Sequence, residues 1–254
     1  MSRDRVIILA GMAAITALSW AYTVREAWAM DQMHAGMDMT GVLMQSWTAN
    51  DALVMFLMWA VMMIAMMTPS VAPMVLVFAL HSRKRKAEAR PYASSGAFLS
   101  GYLIAWTLFS AVATAAQWLL QKYALVDMMM EPTGKLFPGL VLFAAGFFQF
   151  SPLKHACLRH CRGPLHFFGE HWRPGTKGAL QMGLHHGLYC TGCCWFLMAL
   201  LFVAGVMNLL WVALIALFVL VEKVAPRGEW IARIAGVLFL GGGAWMLYSA
   251  FQAA

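Results

Sequence analysis

Apolar positions in this chain gather into long, nearly unbroken blocks. Seven stand out, at Val6–Val24, Ala52–Leu80, Ala97–Leu120, Leu136–Pro152, Ala179–Ala204, Leu209–Val221 and Ile234–Phe251. Most approach or exceed the roughly 20 residues that a helix rising about 1.5 Å per residue needs to cross the hydrocarbon of a bilayer. The pattern predicts an all-α, polytopic transmembrane bundle of about seven spans, a single membrane domain over residues 1–254. The sixth block is short and is expected to extend into the Gly205–Asn208 turn and past Glu222. At the start, Arg3 and Arg5 before an apolar stretch and Ala27-Trp28-Ala29 after it also describe a cleaved signal peptide. The stretch is longer than the roughly 7–15 residues of such a segment, so an uncleaved first span is expected. Cleavage would leave six spans in the same orientation.

Composition supports lipid as the solvent: of 254 residues, 62% are hydrophobic and 11% charged, too little charge to cover a water-soluble domain of this size. The net charge of +7 raises nucleic acid as a partner, and its distribution argues against it. Fifteen of the 18 Lys and Arg fall at the N-terminus and in 81–96, 153–178 and 222–233; Arg25, Lys122 and Lys135 are the remaining three. Those four segments share one side of a seven-span chain. The positive-inside bias therefore puts the N-terminus in the cytoplasm and the C-terminus outside. The run Arg83-Lys84-Arg85-Lys86 is then an orientation signal.

The connecting segments carry the first chemistry. An outer loop over 25–51 holds Met30, Met33, His34, Met37, Met39 and Met44 with Asp31 and Asp38; a second outer run is Asp127-Met128-Met129-Met130-Glu131. An inner loop over 153–178 carries four histidines and two cysteines. Methionine occurs 21 times, and inside a span it serves as flexible filling. In a water-exposed loop it gains nothing from burial. Thioether sulfur selects Cu(I), imidazole accepts Cu(I) or Cu(II), and carboxylate attracts cations. The loop resembles the Met-, Asp- and His-rich stretches of periplasmic copper-resistance proteins.

Two spans add ordered ligands. Met55, Met58, Met62 and Met66 fall in a strip about 80° wide at about 100° per residue, with Met63 and Met67 beside it; the alternative is a packing or lipid face. In the fifth span, His186, Cys190 and Cys193 lie within about 60° of one another, with Cys194 next to them and Met182 to the side. Three soft ligands thus face one direction near mid-membrane, where polar groups mark functional pathways. A further cluster, His155-x-Cys157-x-x-His160-Cys161, has four ligand-capable side chains in a spacing that is not a standard zinc pattern.

The run Cys190-Thr-Gly-Cys-Cys-Trp, Gly205-Val-Met-Asn208, Glu222-Lys223 ending a span, and Ser151-Pro-Leu-Lys154 with Cys157 and Cys161 together resemble the predicted metal-binding integral membrane proteins of bacteria. The resemblance covers roughly residues 50–250. It implies a metal-binding membrane protein without a proven reaction, and it adds Met207 and Asn208 to His186, Cys190, Cys193 and Cys194 as site residues. The Met-rich outer loop is this chain's own addition.

These features order themselves into a route, with outer residues collecting Cu(I), the Met strip passing it inward and the Cys/His site holding it. Copper transport, or delivery to a membrane cuproenzyme with a periplasmic metallochaperone as a second candidate partner, is the expected function, more that of a carrier than of an enzyme. No Gly-rich nucleotide loop is present to supply drive. The rivals are an intramembrane thiol–disulfide oxidoreductase using Cys190 and Cys193, a mercuric-ion carrier, and an assembly subunit with structural cysteines.

Overall fold

The computed structural model describes residues 3–36, 47–88, 93–127 and 132–252, and the regular structure among them is helical. In chain order the helices are α1 (Arg3–Gly36), α2 (Ala49–Ala87), α3 (Ser95–Lys122), α4 (Leu136–Gln149), α5 (Pro152–Arg162), α6 (Pro164–His171), α7 (Gly175–Ala199), α8 (Leu201–Ala204), α9 (Leu209–Val224) and α10 (Gly228–Gln252). Five are long and apolar enough to cross a membrane: α1, α2, α3, α7 continued through α8, and α10. The pair α4 and α5 supplies a sixth if its 64° bend is counted as a broken span. The remaining expected span forms α9, an apolar helix of 16 residues. Outward faces carry Leu108, Val112, Leu217, Leu238 and Trp245, each more than half exposed, an apolar surface suited to hydrocarbon.

The bend has a local cause. Pro152 has no N–H to continue α4 and occupies the first position of the next helix, where none is needed. Ser151 caps that helix, its hydroxyl accepting from the Leu153 N–H at 3.2 Å. The segment 153–178, expected as an inner loop, therefore folds largely into α5 and α6. Lys154, Leu158 and Cys161, at i, i+4 and i+7, form the buried face of α5, and Phe167 and Phe168 that of α6. The basic residues around them disguise this apolar periodicity in the sequence.

At the other end, α1 carries no proline, and its described part reaches Gly36. Met30, Met33 and His34, expected in a loop, thus belong to the end of a helix; Met30 is half-buried against the core. Met37, Met39, Met44 and Met128–Met130 lie outside the described residues. Helix α2 begins with a capping box, Asp51 N–H donating to the Thr48 hydroxyl while Thr48 N–H donates to the Asp51 carboxylate at 2.8 Å.

Two helix pairs pack closely enough to exclude a side chain. A Cβ added to Gly101 would stand 2.7 Å from the backbone nitrogen of Leu184, joining α3 to α7. One added to Gly243 would stand 2.6 Å from the nitrogen of Phe143, joining α10 to α4. Of Gly241-Gly242-Gly243, expected to permit close helix contact, Gly243 meets backbone, Gly242 meets only the Leu142 side chain and Gly241 faces open space. Consecutive helical positions are about 100° apart, so only one of the three points straight at the α4 backbone.

Candidate metal centre

Five helices converge on Cys190. It lies on α7 with His186, Cys193 and Cys194, all 3% exposed or less. The Cys193 and Cys194 thiols each donate to the Cys190 carbonyl, at 3.1 and 2.9 Å, so the local helix turn holds both sulfurs against its own backbone. From α3, the Tyr102 hydroxyl reaches Cys190 Sγ at 3.0 Å and donates to the Met67 carbonyl of α2 at 3.3 Å. From α9, Lys223 Nζ donates to Cys190 Sγ at 2.7 Å and to the Ser70 hydroxyl of α2 at 3.2 Å. From α5, Cys161 Sγ stands 3.9 Å from Cys193 Sγ and faces Cys190 as well. None of the five cysteines is in a disulfide, and this pair is far outside the ~2.05 Å of such a bond.

Buried charge accounts for part of this arrangement. Lys154 and Glu222, both almost fully buried, form an ion pair at 2.6 Å, and Lys154 also donates to Gln149. That pair is neutral and leaves Lys223, 8% exposed, as a buried cation. An unpaired buried charge costs several kcal/mol, about the size that drives such groups to find a partner. The short contact to Cys190 has the form of a charge-assisted hydrogen bond, with thiolate as the anion that completes it. Lys154 and Lys223 are therefore internal groups, and the sidedness of the remaining basic residues stands at thirteen against three.

His186 packs among Phe98, Tyr102 and Phe167, and its Nδ1 is buried with no hydrogen-bond partner. A buried nitrogen without a partner is costly, and a bound ion could satisfy it. Met58, Met62 and Met66 are 6%, 1% and 1% exposed and belong to the core, with Met63 and Met67 at 0%. The strip faces inward. Met55 is half-buried, its sulfur accepting from Gln117 at 3.5 Å. From Met55 to Met66 the column runs about 16 Å along α2, and Met67 and Ser70, which touch Tyr102 and Lys223, continue it to the thiol site.

Other expected ligands are placed elsewhere. Asn208 caps α9, its side chain accepting from the Trp211 N–H at 3.4 Å, and Met207 sits half-buried in the preceding turn. Along α7 and α8 that turn is roughly 15 Å beyond Cys194. Met182 accepts a hydrogen bond from the Arg173 N–H at 3.3 Å. The cluster over 155–161 is divided: Cys161 joins Cys193, Cys157 lies against Gly192, and His160 stacks on Tyr189 with centroids 4.3 Å apart. Sequence reasoning missed Tyr102 and the role of Lys223. A tyrosine within an apolar block and a lysine closing another were the available signals.

Among the described residues, no three His, Cys, Asp or Glu side chains stand as a closed metal-ligand set; Cys190 is occupied by Lys223 and Tyr102. Residues 56–246 match the family PpoB2, copper chaperone, and the chain belongs to that family. No curated protein and no solved structure matches it.

Proposed function

We propose that this copper chaperone works within a membrane, holding Cu(I) among the buried sulfurs of Cys190, Cys193 and Cys161, two of them as thiolates, for delivery to a membrane cuproenzyme or a periplasmic metallochaperone. The observation that carries the reading is the 3.9 Å separation of the Cys161 and Cys193 sulfurs in a pocket closed to water. Two sulfurs bound to one ion at about 2.3 Å, the length of a zinc–thiolate bond, stand that far apart when the angle at the ion is about 115°. The sulfurs are at ligand spacing before any ion arrives.

Lys223 suits a monovalent cargo. With Cys190 as thiolate and a second cysteine protonated, the empty pocket is neutral. Cu(I) entry with loss of that second proton gives two thiolates, one copper and one ammonium, again neutral. Loading is an exchange of one Cu(I) for one proton, which avoids placing net charge in a low-dielectric interior. His186, with its free Nδ1, is a third donor candidate. Copper collected by Met30, Met33, His34, Met37 and Met39 would pass along the Met column of α2 towards this pocket, and transfer from thioether to thiolate runs from weaker to stronger Cu(I) ligands. The membrane assigned is the bacterial inner membrane, with the N-terminus in the cytoplasm.

Alkylation of the detergent-purified, reduced protein with and without Cu(I), together with copper content, tests this. Wild type should retain one Cu(I) and gain protection at Cys190 and Cys193, and Cys190→Ser/Cys193→Ser should lose both properties. His186→Ala should lower copper retention. Unprotected thiols with unchanged copper would refute the site, and a disulfide between Cys190 and Cys193 turning over with substrate would favour the oxidoreductase.

A further inference from the structure

One end of α7 carries a polarity gradient that the copper site leaves unused. Gln181, Leu184 and Leu188, at i, i+3 and i+7, share a helix face, polar at the end nearer the basic segments and apolar towards the middle of the span. Beside this face opens a cleft of about 330 Å³, lined also by His171 at the end of α6, Arg173 in the connection to α7, and His185. We propose that the cleft binds an anionic phospholipid, its phosphate held by Arg173, His171 and Gln181 and one acyl chain lying along Leu184 and Leu188. The site rests on the reading of the chain as a membrane protein and needs nothing from the thiolates.

Charge is the first argument. Arg173 is positioned in advance: its main-chain N–H donates to the Met182 sulfur at 3.3 Å and its Nη1 to the Gln181 side chain at 2.7 Å. Gln181 thereby takes one guanidinium N–H, and donors suited to a phosphate remain. The charges that act on His185 come from His171, Arg173 and His160, all able to be positive, and the His171 and His185 rings stand 4.8 Å apart. Glu170, the carboxylate beside His171 in the chain, meets His166 at 3.3 Å and is no part of the cleft wall. Among the described residues, then, the cleft has an arginine and no carboxylate, and a phosphate supplies the missing charge.

Depth is the second argument, and it selects a lipid over a free anion. Next to Arg173, Trp172 has the Arg85 guanidinium of α2 4.8 Å from its ring centre, and tryptophan marks the headgroup level at a membrane face. From Gln181 to Leu188 is about 10 Å along α7, so the cleft runs from that level towards the hydrocarbon. Leu188 is 54% exposed there. A free phosphate would use the polar end alone and leave Leu184 and Leu188 uncovered. Basic pockets between membrane helices hold anionic headgroups in this way. At about 30 Å³ per water the cleft has space for roughly eleven solvent molecules, enough for a phosphoglycerol group of similar atom count.

The test is native mass spectrometry of the full chain, purified in detergent and offered phosphatidylglycerol, phosphatidylcholine or inorganic phosphate. One phosphatidylglycerol per chain should be retained, about tenfold more tightly than phosphatidylcholine, and inorganic phosphate at equal concentration should not displace it. Arg173→Gln and His171→Gln should each weaken retention about tenfold, the order expected for a hydrogen bond to a charged group. Arg173→Lys should weaken it less, and Arg233→Gln, at an exposed basic position of α10 outside the cleft, should leave it unchanged. Circular dichroism of each variant keeps misfolding apart from ligand loss. Displacement by inorganic phosphate, or equal loss in Arg233→Gln, overturns the site. Flotation of the wild-type chain with phosphatidylcholine vesicles separates the two readings: a chain that does not float overturns the membrane reading, and a floating chain that retains both lipids equally overturns the site alone.

Discussion

Replacing Lys223 with methionine removes a buried cation while keeping similar bulk, and the contacts at Cys190 set the result. In the empty protein the Cys190 thiolate loses its ammonium partner at 2.7 Å and takes up a proton, so the empty state escapes most of the cost. The loaded state does not, because copper with two thiolates is then a buried anion. Removing one partner of a buried charge pair costs about 3–5 kcal/mol; Coulomb's law at an effective dielectric of about 20 gives ~6 kcal/mol for unit charges at this separation, the same order. At 1.36 kcal/mol per decade, Cu(I) affinity should fall by roughly two to four orders of magnitude. The proton count changes too. Wild type releases one proton per copper and should gain about tenfold in affinity per pH unit as pH rises; Lys223→Met releases two and should gain about a hundredfold. Lys223→Arg keeps the charge and should keep the slope of one. Competition titrations against a chromophoric Cu(I) chelator at several pH values measure both quantities. Affinity within threefold of wild type, with a slope of one, would refute the counter-charge argument.

Glu222→Gln should destabilise the fold by about 3–5 kcal/mol in thermal or denaturant unfolding, since it leaves Lys154 buried without its carboxylate; Lys154→Met with Glu222→Leu should recover most of the loss, and a single-variant change below about 1 kcal/mol would contradict this. Met62→Leu/Met66→Leu conserves volume and should cost less than about 1.5 kcal/mol while slowing Cu(I) loading from the outer side at unchanged equilibrium affinity, as stopped-flow transfer would record. Unchanged loading would assign the column to packing. A periplasm-active reporter should work after Ala254 and fail after Arg85, as the sidedness of the basic segments requires, and the reverse would invert the direction of transfer.

Sequence alone determined what is local. Apolar block length follows from composition along the chain, so the helical class was legible, and helical periodicity put His186, Cys190 and Cys193 on one face and four methionines in one strip. Periodicity does not say which way a face turns. The Met strip could have met lipid, and only packing of α2 against its neighbours set it inward, where Trp59 donates to Gln117 of α3 at 2.6 Å. Sequence also read residues 153–178 as a loop, because their basic positions mask the buried i, i+4, i+7 face of α5.

Tertiary structure decided which distant residues meet. Cys161 and Cys193 are 32 positions apart, and Lys223 and Cys190 are 33; no spacing rule links such pairs. They are brought together because glycines let α3 approach α7 at backbone distance, the Pro152 bend lays α5 across α7, and the buried lysine at the end of α9 must find an anion. The same packing splits the compact His155–Cys161 run, sending Cys161 to the Cys193 sulfur and His160 to the Tyr189 ring. Ligand type is written in the residues, but the assembly of ligands around one point depends on helix contacts that exist only once the bundle has closed.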